Sequence, residues 1–448
     1  MKIATPAHLA RYTYNTVRLA KTFEQTPPEL IIRDLMEGLY FASMKTEEGR
    51  PVKVNVTFID HLRPEEKPVA TADVWRVTNF QTPLPFDIKT IVKLSQAADP
   101  WSSSLAVYYD ENDKLWINGL IDQTIHAQRF IHHEGNNKPQ LPGMFQTSII
   151  GIGCLSVIYD YELIAVLRQN VLVNKFLDVL HYGPISEMLK TDSKSAAQKL
   201  ETFIKQHHRR SFQGDSSLFA LRIWQSTLSR LLLQVQLYHH GGAILITNQT
   251  EGLTVKYQMD YPRLHQAMVA MLQTGAAASA SEQAIITSRK LHFPIDDYIL
   301  LEKARMEHQE AENQLKGAIR FVAAQSCVDG LIVLNHQLEV CGFGAVIDEI
   351  DPPKEIYFSD TNKVTVSKLT SRNPDNFGTR HRSMMSYCWH HDDALGLVIS
   401  QDGDLRAVKR LGDQLVIWEN IKIQNYVKSK KIRHLGVFEK SVGMDELD

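Results

Sequence analysis

The segment "DSSLFALRIWQSTLSRLLLQVQLYHHGGAILITN" does most to limit what this chain can become. Leu218, Leu221, Trp224, Leu228, Leu231 and Val235 recur at three- and four-residue steps, the spacing that aligns one apolar face of an α-helix. Asp215, Ser216 and Ser217 supply a start signal, and Gly241-Gly242 a stop. The run "GAILITN" that follows is short and apolar, as in a buried strand. Further strand and helix patterns alternate behind it, which predicts an α/β sheet.

The stretches on either side read less uniformly. In "PVKVNVTFID", Val52, Val54, Val56 and Phe58 alternate with polar positions, the pattern of a half-buried strand. "SSLAVYYDENDKLWING" places a turn-rich tetrad, Asp110 to Asp113, between two strand-like runs. Residues 1–135 are therefore expected to form an α+β domain. The polar stretch "HHEGNNKPQLPG", His132 to Gly143, is expected to be a loop at its boundary, and 136–214 a mainly helical linker or extension. Gly151 to Gly153 lacks a third glycine and an expected preceding strand, so it is no dinucleotide fingerprint. Residues 215–420 should hold the α/β domain and 421–448 a tail. Within that domain "TGAAASASEQ" has the composition of a flexible insertion, and a charged helix is expected from about Asp297 to Gln325. "VDGLIVLNHQLEVCGFGAV" reads as strand, turn and strand around Asn335 and His336, and Asp402-Gly403 as a hairpin turn.

Totals exclude several function classes. At 448 residues the chain is too long for one ordinary core, so two or three domains are expected. A formal charge of -2 offers no footprint for nucleic acid or a membrane surface, although a small charged ligand needs only local charge. The most apolar run is interrupted by Asp160 and Glu162, so no membrane span is expected. Cys154, Cys327, Cys341 and Cys388 lie far apart without C-x-x-C spacing, which fits a reducing cytoplasm rather than a zinc site or a disulfide framework.

The chemistry concentrates in "FGTRHRSMMSY". Arg380 and Arg382 flank His381, and a guanidinium presents a planar fork suited to phosphate at any cellular pH. Gly378 admits a ligand close to the backbone, and Thr379 adds an uncharged donor. Two readings stand open on local grounds, a grip on a polyphosphate or a surface turn paired with carboxylates. Asp329-Gly330, at the mouth of the strand "LIVL", is either a carboxylate placed to hold a divalent cation or an ordinary turn pair. "WHHDDAL", His390 to Asp393, has the composition of a metal site, but neighbours in a strand point to opposite faces. The basic clusters "KQHHRRS" and "VKSKKIRH" have the composition of solvated faces or tails.

Taken in order, "HHGGAILITNQTEGL", "CVDGLIVLNHQLEVCGFGAVI" and "FGTRHRSMMSYCWHHDDALGLVISQDGDLRAV" resemble the diadenylate cyclase (DAC) domain of bacterial cyclic di-AMP synthases. The five-residue "GTRHR" match carries most weight, and the resemblance covers about residues 215 to 420. The N-terminal region is similar to the DACNV type of sensor domain that bacteria join to such cyclases. The resemblance implies a central mixed β-sheet flanked by helices, and a cytoplasmic nucleotidyltransferase that condenses two ATP into cyclic di-AMP with Mg or Mn. Arg380 and Arg382 would grip the ATP phosphates with His381 between them. Gly330, Leu331, Gly378, Thr379, Ser400 and Gln401 would line the nucleotide site, and Asp329 and Asp402 would hold the metal. A product with two equivalent phosphodiester bonds implies a homo-oligomer with two sites face to face. The chain departs from the family pattern at Val328, Leu331, Gln401 and Asp402. A catalytically weak or inactive nucleotide sensor using the same pocket is the alternative.

Overall fold

The computed structural model describes residues 3–20, 27–59, 76–122, 125–134, 145–159, 162–206, 212, 214–238, 240–287, 295–348, 351–364, 369–400 and 403–424. The chain divides into two compact units at Lys175/Phe176, the second ending at Ile423.

In the first unit, helices α1 (Pro6–Ala20) and α2 (Glu29–Ala42) precede a two-stranded ribbon of β1 (Thr46–Glu47) and β2 (Arg50–Pro51). There follow β3 (Val54–Phe58), β4 (Arg76–Pro85), α3 (Ile88–Leu94), β5 (Ser103–Tyr109), β6 (Leu115–Asp122), α4 (Ile125–Ile131), β7 (Phe145–Gly151), β8 (Cys154–Tyr159), β9 (Glu162–Arg168) and β10 (Val171–Val173). Eight of these strands form one sheet in the order β10-β9-β8-β7-β3-β5-β6-β4. Only the β3/β5 pair in it is parallel. Asp110 to Asp113 makes the expected turn between β5 and β6, with the Asp110 amide donating to Lys114 O at 2.9 Å. β3 is buried on both faces, not half-buried. Val54, Val56 and Phe58 join the core with α1 and α2, while Thr57 and Asn55 bond Ser104 Oγ and Pro100 O, each at 2.8 Å.

The helical expectation for 136–214 is corrected over its first part. β7 pairs with β3, so the sheet runs on to Val173 past the polar stretch where a boundary was expected. Most of that stretch, 135–143, lies outside the described residues. Gly151–Gly153 joins β7 to β8, with Gly153 at φ +65°, so a strand does precede it and a hairpin turn is its role. Clustered Ile, Val and Leu suit strand and helix alike in short runs, and the glycine turns decide for strand.

The second unit opens with α5 (Pro184–Asp192), α6 (Lys194–Gln206) and α7 (Ser216–Leu237). Next come β11 (Gly242–Ile246), β12 (Leu253–Tyr261), α8 (Arg263–Thr287), α9 (Ile295–Ala324), β13 (Leu331–Leu334), β14 (Val340–Ile347), β15 (Ile356–Ser359) and β16 (Thr370–Arg372). The unit closes with α10 (Thr379–His390), β17 (Leu395–Ile399), β18 (Leu405–Leu411) and β19 (Gln414–Trp418). The nine-stranded mixed sheet has the order β12-β14-β13-β11-β17-β18-β19-β15-β16. β11/β13 and β15/β19 are its parallel pairs. Helices α5 to α9 cover one face and α10 the other.

The Asp215 carboxylate caps α7 by accepting from the amides of Ser217 at 2.8 Å and Leu218 at 3.1 Å. The buried stripe of this helix runs through Ala220, Trp224, Leu228, Leu231 and Val235, with Leu218 left 39% exposed in the first turn. "TGAAASASEQ" is not a flexible insertion but the middle of α8, where Ala276, Ala277 and Ala280 are buried. Alanine is the best helix former, and its small side chain lets α8 and α9 lie close. Ile421 and Ile423 pack into the α5–α9 core, so the chain beyond 420 begins inside this unit. No helix among the described residues is long and apolar enough to cross a membrane.

Candidate functional site

Asp329 and Gly330 lie just before β13, which places them at the N-terminal ends of the parallel strands β11 and β13. The strand mouth at which Asp329 sits is therefore the end opposite the C-terminal strand ends where α/β sheets place ligands. What assembles around Asp329 comes from β17, which runs antiparallel to β11 and brings its own C-terminus, Ile399 opposite Gly242, to the same end. Helix α10 starts at this end as well. His381 in its first turn touches Arg406, which is registered with Val398, and Trp389 in its last turn touches Arg410 at the far end of β18. Leu331, two residues after the acid, shares one core cluster with Met384, Met385, Tyr387 and Cys388 of α10, so α10 packs on the face of β13 that Leu331 presents. One strand, β11, separates β13 from β17, a lateral step of about 10 Å from strand spacing.

Asp329, Arg380 and Arg382 are exposed, and their side chains form no hydrogen bond or ion pair among the described residues. Gly378 caps α10 without a side-chain bond, so the helical pattern leaves the Thr379 and Arg380 amides without an intrahelical acceptor. Two free guanidinium groups and a helix N-terminus together favour an anion. Ser400 anchors the hairpin turn instead of standing free. Its amide donates to Asp404 O at 2.8 Å, and its Oγ accepts from the Asp404 amide at 2.9 Å. Gln401 and Asp402 lie outside the described residues.

Gly330 has φ +113°, a conformation that L side chains rarely adopt, and it faces Gly344 of β14 at φ +63°. Leu331 is registered with Ala345 and is 7% exposed, so its side chain belongs to the core shared with α10.

The residues that sequence reasoning missed lie under the arginine turn. Arg406 Nη1 donates to His381 Nε2 at 2.9 Å, and Arg406 Nε donates to Glu419 Oε1 at 2.7 Å. Arg372 approaches Glu419 Oε2 at 3.9 Å and stacks 4.2 Å over the Phe358 ring, which in turn stacks on Phe377. Burial, then the charges of Arg406 and Arg380, push His381 down to about 4 against the opposing pull of Glu419. None of these partners shares a local motif, so only the sheet register brings them together.

The "WHHDDAL" segment spans the end of α10 and a turn, not a strand, and its side chains disperse to different partners. His390 Nε2 lies 3.1 Å from Asp351 O, and His391 Nδ1 lies 3.0 Å from Gln249 Oε1. Asp393 Oδ2 accepts from Thr247 Oγ1 and the Asn248 amide, both at 3.0 Å, and meets His336 Nε2 at 3.4 Å. His336 Nδ1 reaches Asp192 Oδ2 at 3.1 Å, so one imidazole bridges two carboxylates at the end of the sheet opposite Asp329. The Asp192 hydrogen bond, opposed by burial and helped by both carboxylate charges, raises the His336 pKa. Burial pushes Tyr387 and Cys388 up to about 12 each. The C-terminal ends of β11 and β13 are thus closed by internal bonds. Among the described residues no group of three or more His, Cys, Asp or Glu side chains converges to hold a metal.

A family model described as "Probable sensor domain DACNV" matches residues 21–122. The match takes in α2, α3 and β3 to β6 of the first unit, in line with the sensor expectation for the N-terminal region, and it does not reach residues 215–420. A search of curated proteins returned no match.

Proposed function

We propose that the second unit binds ATP and condenses two molecules into cyclic di-AMP under the control of the N-terminal sensor-type domain. The observation that supports this reading is that Asp329 and the helix start carrying Arg380 and Arg382 lie at the same end of one sheet. Their separation across β11 is a gap that a nucleoside triphosphate can bridge. Arg380 and Arg382 hold the phosphate oxygens, and the Thr379 and Arg380 amides add donors that cost no reorganisation. Asp329 aligns the 3'-hydroxyl of one ATP toward the α-phosphate of the other. The P–O bond to the leaving pyrophosphate breaks as the phosphodiester forms, twice per product. Mg or Mn suits the donor set, since one free carboxylate with phosphate oxygens and water matches a hard cation that keeps much of its hydration. Bound there, the ion would neutralise charge on the phosphates. Asp329 would hold it, with Asp402 as the second ligand. Positioning and charge stabilisation supply most of the rate. Because one chain brings one site, reaction requires two chains facing about a two-fold axis.

A non-catalytic nucleotide sensor is the second reading. Ser400 is tied into its turn, and Gln401 and Asp402 stand where the resembling family carries two glutamates. Purified protein incubated with ATP and Mn, followed by mass spectrometry, separates the two. Pyrophosphate and a dinucleotide that both vanish in Asp329→Asn support the enzyme. ATP binding without turnover supports the sensor, and no ATP binding removes both.

A further inference from the structure

The Arg-His-Arg turn meets the sheet through Arg406, a residue to which the sequence pattern assigns no role. Its guanidinium is held at both ends, by Glu419 Oε1 at 2.7 Å and by His381 Nε2 at 2.9 Å. A guanidinium has donors only, so Nε2 of His381 is an acceptor and the ring proton resides on Nδ1. We propose that Arg406 is a positioning residue of the nucleotide site, holding His381 as a neutral Nδ1–H imidazole so that Arg380 and Arg382 alone charge the turn. This rests on the nucleotide reading of that site.

The groups around the ring agree with that state. On its own helix stand Arg380 and Arg382, on β18 Arg406, and at the end of β19 Glu419, which also meets Arg372 of β16 at 3.9 Å. The Phe377 ring fills another side, 6.3 Å from the imidazole centre. One carboxylate shared between two guanidinium groups cannot also balance an imidazolium, and burial, Arg406 and Arg380 lower the pKa of His381 accordingly. The consequence for a bound polyphosphate is a grip of constant charge with one directed neutral donor between two cations. Histidine at this position would otherwise change charge within the physiological range.

The test compares ATP affinity of full-length wild type and Arg406→Met by calorimetry at about pH 5.5 and about pH 8, on either side of an ordinary histidine. The titration of ATP itself cancels in the ratio of the two proteins. Freed of Arg406, His381 takes up a proton at the lower pH, so the variant gains on the wild type by about tenfold there relative to the higher pH. Arg406→Lys, which keeps a donor and a charge, restores the wild-type profile. Should Arg406→Met fail to fold with Glu419 left to Arg372 alone, Arg406→Met with Glu419→Gln takes its place. A variant-to-wild-type ratio equal at both pH values means a merely structural tether and overturns the proposal. In the ligand-free protein, imidazole nitrogen resonances of His381, assigned by difference with His381→Gln, are expected to show the neutral Nδ1–H form throughout this range. A wild-type His381 that titrates near its ordinary value overturns it as well. If wild type does not bind ATP at all, the nucleotide reading fails, and the His381 resonances still decide the role of Arg406.

Discussion

Gly330 and Gly344 pass so closely at the mouth of β13 that a Cβ on Gly330 would lie 2.5 Å from the Gly344 carbonyl carbon. The three nearest atoms, the carbonyl carbon and Cα of Gly344 and the carbonyl oxygen of Ala345, are all backbone, and Gly330 also holds φ +113°. Gly330→Ala is therefore expected to destabilise the second unit by about 2 kcal/mol or more, since neither the dihedral nor the neighbouring strand can yield cheaply. Urea unfolding measures it. An unchanged midpoint would mean that the two strands part more easily than their register suggests.

Gly396 of β17 lies under α10, where an added Cβ would fall 2.5 Å from Met384 Sδ and also strike Met384 Cγ. Met384 is fully buried, so the side chain has little room to retreat. Gly396→Ala should cost about 1–3 kcal/mol through overpacking. Met384→Ala made in that background should cost less than in the wild type, because it opens the space the new methyl needs. Strict additivity of the two changes in a double-mutant cycle would contradict this packing.

The His336 bridge has a defined sign. Its pKa is raised in the folded protein, chiefly by the hydrogen bond to Asp192. The resulting stability is fully present below the unfolded value near 6.5 and is lost as pH rises through the folded value. Asp393 is lowered, because bonds from Asn248, Thr247 and His336 outweigh the upward effect of burial. Its contribution holds above the unfolded value and fades as pH falls through the folded one. His336→Asn should cost about 1–3 kcal/mol near pH 6 and progressively less as the pH rises through the raised folded value. Thermal unfolding of both proteins across that interval checks it, and a cost independent of pH would deny the charged bridge.

Arg380→Ala and Arg382→Ala remove exposed side chains that bond nothing else in the described residues. Each is expected to leave stability within about 0.5 kcal/mol and to weaken ATP binding about tenfold or more. Loss of stability in place of loss of affinity would turn the turn's arginines into structural ion-pair residues.

Local pattern carried the reading wherever one element's own residues decide its form. Asp215 capping α7, the Asp110 to Asp113 turn and the apolar β11 all follow from neighbours a few positions apart. The failures share a cause. β3 alternates in sequence yet is buried on both sides, which its polar residues tolerate because Ser104 and Pro100 satisfy them. β7 to β10 were hidden among apolar residues whose period is ambiguous over short runs, and the alanines of α8 resemble a linker until α9 packs against them.

The candidate site divides along the same line. Arg380, His381, Arg382 and Asp329 stand out as residue types with a chemistry, and their order along the chain can be seen without coordinates. That they lie at the same end of one sheet follows from β17 running antiparallel to β11, a pairing between residues about 150 positions apart. That His381 is neutral depends on Arg406 and Glu419, which come from two later strands and are fixed by register alone. Propensity and chemical type act over a few residues and are written locally. Protonation state and convergence depend on distance through space, and only the packed chain sets it.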